Sequence, residues 1–217
     1  MKNIILMAFL CIATASLAQD KPKLYTLPSP FERYNYSLAT IRFGAAVPIG
    51  QLSDQYIDKA TFKNFSASLE WVLPNRLSIG GEIGSSNLQK RIPRAVYEFE
   101  DQTISAVQTR TLVLQPFQAF VNYHFANKND RIQPYIQLSG GGSRVDYSLY
   151  YGNLVDQYQK IRPTYGVGVG SKFLFKPDGS VGADLRAKYT NTPFKYDYID
   201  GNASTLNVSV GIFYRWW

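Results

Sequence analysis

A chain of 217 residues with a formal charge of +7, 45% hydrophobic and 15% aromatic, is long enough for one domain with a full interior. The connecting segments are close to neutral and the remaining charge falls at alternate strand positions, which argues against the clustered basic stripe of a nucleic-acid-binding protein. One cysteine, Cys11, and one histidine, His124, leave no disulfide framework and no ligand set for zinc, so neither a metal nor a cofactor is expected.

The first element, "MKNIILMAFLCIATASLAQD", has Lys2 near its start, an apolar run from Ile4 to Ala13 and small residues at Ser16 and Ala18. This predicts a secretory signal peptide over residues 1–18, cut after Ala18, and Sec-type export. The apolar run is too short for a membrane span, and Leu10 ahead of Cys11 does not suit a lipoprotein cleavage site. Residues 19–35 read as a short extended periplasmic leader, and residues 36–217 as a single barrel domain.

From there the pattern is period-two alternation bounded by Gly, Pro, Asn and Asp, with no amphipathic helix of ten or more residues. Strands are predicted over residues 36–47, 65–72, 77–84, 111–125, 133–142, 164–175, 181–190 and 204–217. Their connections alternate in length: residues 48–64, 85–110, 143–163 and 191–203 are long, whereas "LPNR", "ANKNDRI" and "KPDGS" are short. Long loops at one end and tight turns at the other are the layout of a membrane barrel, and a Greek-key sandwich gives no reason for that parity.

The faces alternate too. Leu206, Val208, Val210, Ile212, Tyr214 and Trp216 share one side of the last strand, opposite Asn207, Ser209, Gly211, Phe213 and Arg215. Such alternation fits a soluble barrel or a membrane barrel turned inside out, and the aromatics decide between them. Trp71, Tyr123, Phe175, Tyr214 and Trp216, with Phe125 and Phe173, all fall at the tight-turn end, as a girdle at one membrane interface requires. The fold class expected is all-β: an eight-stranded antiparallel up-and-down transmembrane β-barrel with short periplasmic turns and long extracellular loops.

With the terminal strand "TLNVSVGIFYRWW" and the weaker "FGAAVPIGQLSD" at 43–54, the chain resembles the small eight-stranded outer-membrane proteins of Gram-negative bacteria. These are the OmpA-like and OmpX-like, porin-family barrels. The resemblance implies an outer-membrane location among lipid and lipopolysaccharide. It also implies a terminal aromatic read by the barrel-assembly machinery, with Trp216 in register and Trp217 one residue beyond it.

The inward-facing charges expected are Arg42, Glu70, Glu82, Lys172, Asp184, Arg186, Lys188 and Arg215, forming a polar network that fills the interior. No catalytic residue is expected. His124 lies at the tight-turn end with no serine beside it in sequence, and "SGGG" and "GVGVG" lie within strands rather than opening a helix. The function expected is non-enzymatic, structural or surface-interacting, with a small porin-like channel and then a lipid-acting barrel enzyme as alternatives. The charged, aromatic connection 85–110 and the tyrosine-rich connection 143–163 suit recognition of an extracellular ligand.

Overall fold

The structure, a computed structural model, describes residue 31 and residues 34–99, 102–152, 154–176, 178–196 and 199–217. The signal peptide and nearly all of the leader expected at residues 1–35 lie outside the described residues. Eight strands close into one barrel: β1 (Tyr36–Ile49), β2 (Thr61–Val72), β3 (Leu77–Phe99), β4 (Gln102–His124), β5 (Ile132–Tyr151), β6 (Leu154–Leu174), β7 (Val181–Tyr196) and β8 (Ile199–Trp216). Each pairs antiparallel with its neighbours in sequence, and β8 pairs with β1 from Ser37↔Trp216 to Ile49↔Ser204. No backbone edge is left at the level of that seam, the condition a sheet must meet to cross lipid.

The strands run much further than the alternation alone predicts at the end of the long connections. β3 pairs with β4 out to Phe99↔Gln102 and β5 with β6 out to Tyr151↔Leu154, so most of 85–110 and 143–163 is hairpin rather than loop. Along β3, β4 and β6 both faces of these extensions carry polar residues, and along β5 the apolar residues Val145, Tyr147 and Leu149 switch to the inward face, so the lipid-facing alternation stops while the backbone ladder continues. The ladders β2–β3 and β6–β7 stop lower, at Asn64↔Ser86 and Tyr165↔Asn191. One helical turn, α1 (Gln51–Gln55), follows Gly50, whose φ of 60° suits glycine.

Side chains sort as in a barrel turned inside out. Ile41, Leu69, Ile79, Val121, Leu138, Val169, Leu185 and Ile212 are exposed on the outer wall, while Arg42, Glu70, Lys172 and Asp184 are buried. An apolar band encircling the molecule could not be left in water, so the solvent of this wall is lipid. Trp71, Tyr123, Phe125, Phe173, Phe175, Tyr214 and Trp216 stand exposed at the tight-turn end, with Tyr214 stacked on Trp216 at 6.0 Å.

Inward glycines let strands and interior side chains close up. A Cβ at Gly182 would lie 2.3 Å from the Phe173 carbonyl and 2.4 Å from the Phe213 ring, and one at Gly170 would lie 2.6 Å from Tyr135.

Candidate functional site: the barrel interior

The interior of the described barrel is built in four levels. At the tight-turn end Tyr36, Leu38, Val72, Leu174 and Phe213 pack with Phe31 into an apolar cluster. Phe31 comes from the leader segment, and its ring meets Tyr36 at 5.5 Å and Trp217 at 5.2 Å. The guanidinium of Arg215 lies 3.8 Å over Phe31 and donates to the carbonyls of Gly179 (2.7 Å) and Lys128 (3.0 Å) and to Asn129 Oδ1 (2.9 Å). Arg215 therefore does not join the acid-base network expected of it. It is the last inward residue of β8, so its side chain reaches the turn carbonyls, which satisfy it without a carboxylate.

Above that cluster lies a small charged layer. Lys172 Nζ donates to both oxygens of Glu70 at 2.7 Å and sits 4.9 Å over the Tyr135 ring. Ser78 Oγ also donates to Glu70 and lies 3.0 Å from His124 Nε2, which is itself 3.2 Å from Glu70 Oε1. His124 has no serine beside it along the chain because Ser78 arrives from β3 across the ladder, where Leu77 pairs with Tyr123 and Ser78 with Asn122. The group has serine, histidine and acid within reach, yet not as a catalytic relay. Serine and carboxylate share one imidazole nitrogen, Nδ1 has no partner, and Ser78 is fully buried.

The middle layer gathers five charges. Arg42 Nε donates to Asp184, and its Nη1 donates to Ser68 Oγ (2.7 Å) and stands 3.6 Å from Glu82. Tyr135 donates to the other oxygen of Asp184 at 2.9 Å. Glu82 also accepts from Arg186 and from Lys188 Nζ (2.8 Å), while Arg186 reaches Gln137 (3.1 Å) and Ser66 (3.2 Å) and Lys188 reaches Gln118 (2.6 Å). Seven of the eight inward charges thus fall into two connected layers. Tyr and Gln partners are expected for such buried charges, and the structure supplies Tyr135, Gln118 and Gln137. The serines Ser66, Ser68 and Ser78 are added by the structure, though Ser66 and Ser68 share the parity of Glu70 and Ser78 that of Glu82.

A second apolar cluster closes the hairpin end. Leu52, Tyr56 and Ile57, carried in by α1, pack against Leu88, Leu112, Val145, Tyr147, Leu149, Phe194 and Ile199. Tyr56 stacks on Tyr147 at 4.8 Å and donates to the Ser148 carbonyl at 3.1 Å, and Arg110 Nη1 donates to the carbonyls of Gln55 (3.1 Å) and Tyr56 (3.3 Å). Tyr158 stacks on Tyr196 at 4.2 Å, bridging β6 and β7 above the point where their ladder ends. The tyrosines of 143–163 are therefore divided: Tyr147 is buried, Tyr151 and Tyr158 are half-buried, and Tyr150 is exposed.

The described residues contain no group of three or more His, Cys, Asp or Glu placed to hold a metal ion. The arrangement is an antiparallel eight-stranded barrel with a charged core and an apolar wall, the fold of the small outer-membrane barrels. Among solved structures it is similar to Neisserial surface protein A, at 15% identity and a TM-score of 0.52, over 83% of this chain and 96% of that one. The attachment invasion locus protein Ail of Yersinia pestis also aligns, at 14% identity and a TM-score of 0.49, over 84% of this chain and 98% of that one. No protein-family model matches the chain. No curated protein matches it either.

Proposed function

We propose that the protein is an integral outer-membrane barrel of a Gram-negative cell that neither conducts nor catalyses, and that acts through the hairpins its barrel holds above the lipid. The observation that carries this reading is the four-level filling of the interior: apolar clusters at both ends enclose two charged layers. An eight-stranded barrel has room for its own side chains and little else. Lipid and lipopolysaccharide are its surroundings, and the terminal strand of β8 is its signal to the barrel-assembly machinery. Tyr150, Val155 and Ile161, exposed on β5 and β6, are the residues best placed to meet an extracellular partner.

Planar-bilayer recording tests the sealed interior: the account expects no discrete conductance steps above protein-free lipid, and a reproducible channel would favour the porin-like alternative. Incubation with phospholipid and lipopolysaccharide tests the absence of catalysis. Release of acyl chains that disappears in Ser78→Ala would overturn it.

A further inference from the structure

In the middle layer three cations share two carboxylates. Arg42, Arg186 and Lys188 face Glu82 and Asp184, whereas below them Lys172 is matched by Glu70. All seven side chains are 6% exposed or less. Arg215 rests on carbonyl and amide oxygens at the mouth. Among the described residues, the enclosed layers therefore hold one positive charge more than negative, before any proton on His124. A charge shut away from water without a counter-charge is costly.

Among the buried donors without a partner in the described residues, two are direct neighbours in register. Arg186 gives Nη1 to Glu82 and Gln137 and Nη2 to Ser66, but its buried Nε has no acceptor. Directly opposite it in the β7–β8 ladder is Ser209, 5% exposed, whose hydroxyl has no partner either. The positions flanking this pair in register are Gly170 on β6 and Gly44 on β1, so the row offers no side-chain acceptor to either donor. Next along the same wall Lys188 faces Asn207, whose amide nitrogen turns to Thr190 (3.4 Å) and Thr205 (3.2 Å) and leaves Oδ1 unpartnered.

We propose that the barrel closes around one small monovalent anion, a halide such as chloride, held by Arg186 Nε and the Ser209 hydroxyl. A single negative charge cancels the excess. A divalent oxyanion would reverse it beside Glu82, and water alone would satisfy the hydrogen bonds while leaving the charge in place. The unpartnered Asn207 Oδ1 is an acceptor and suits a water next to the ion rather than the ion itself. Because apolar clusters cover both ends, the anion enters during folding and exchanges slowly afterwards. This inference rests on the sealed interior, which the conductance measurement tests separately.

The experiment folds the denatured full chain into detergent micelles in sodium bromide, then passes it into halide-free gluconate buffer and measures bromine per chain by elemental mass spectrometry. One bromide retained per folded chain, released on boiling, is the expected result. Lys188→Met removes the excess charge and Ser209→Asp tethers a carboxylate opposite Arg186 Nε. Both variants are expected to fold, by heat-modified gel mobility, and to lose the bromide. Wild-type protein that folds and retains none would overturn the proposal, as a neutral lysine would produce. Retention in either folded variant equal to wild type would overturn it as well, marking a surface-bound ion only. If Lys188→Met does not fold, Ser209→Asp alone decides the point.

Discussion

Glu82→Gln is the most revealing single change in the interior. Glu82 accepts from Arg186 and Lys188 and stands 3.6 Å from Arg42, so neutralising it leaves three buried cations to Asp184 alone. Removing one partner from a buried charge pair costs about 3–5 kcal/mol, against roughly 1 kcal/mol or less for a surface charge. For a urea slope of about 1–3 kcal/mol per molar, that loss of about 3–5 kcal/mol should lower the unfolding midpoint by roughly 1–5 M. Asp54→Ala, on the exposed face of α1, should leave the midpoint nearly unchanged. The assay is urea unfolding from lipid vesicles followed by tryptophan fluorescence, since all three tryptophans, Trp71, Trp216 and Trp217, lie at the tight-turn end. Adding Lys188→Met to Glu82→Gln removes one of the stranded cations and should restore part of the loss, a coupling of about 0.5–3 kcal/mol. A Glu82→Gln shift no larger than that of Asp54→Ala would refute the reasoning, because it would mean that water solvates the layer.

Four further outcomes are expected. Val210→Lys places a charge on the lipid-facing wall and should cost about 2–4 kcal/mol, read as a lost heat-modifiable fraction. Ser209→Lys faces inward but adds a fourth cation to the middle layer, so it too should insert poorly, whereas Ser209→Asp should be tolerated. Deleting Trp217 should leave insertion intact, because Trp216 remains stacked on Tyr214, while deleting both tryptophans should impair it in a membrane-fractionation assay. At the hairpin end, the hydrogen bond from Lys90 at 3.0 Å holds the Asp58 carboxyl below the usual carboxylate range. That contact stays formed above the ordinary Asp pKa and is lost as pH falls through the lowered one, which an NMR titration of the Asp58 carboxyl would follow.

The lower half of this barrel is legible in its sequence because lipid imposes the pattern. Each residue that faces acyl chains must be apolar while most of the inward neighbours are polar or glycine, so β8 from Leu206 to Trp216 reads at once. Above the membrane that demand ends. Residues such as Gln89, Lys90 and Arg91 on β3 keep the ladder without the alternation, and the hairpins look like loops. The inward charges were readable from parity, but their grouping was not, because it depends on register between distant strands. Ser78 reaches His124 across 46 residues, and Arg186 reaches Glu82 across 104. Parity also could not show that Arg215 lies below the network, since it gives the face of a residue and not the level of its partners. The apolar spacing of Leu52, Tyr56 and Ile57 was a signal of burial that stood in plain view, while nothing in the sequence around Phe31 marks it as part of the lower cluster.

The central claim, a lipid-facing wall around a closed interior, is tested most directly by single cysteines placed at successive positions from Leu206 to Arg215, with Cys11 replaced by serine. Each variant in lipid vesicles is exposed to a water-soluble maleimide, and its bimane adduct, formed before folding, to a lipid-borne quencher. The account predicts that positions 206, 208, 210, 212 and 214 are quenched from lipid and that positions 207, 209, 211 and 213 resist both reagents. Rapid labelling of positions 207 to 213 by the maleimide would contradict the closed interior, and rapid labelling of the even positions would contradict the lipid-facing wall.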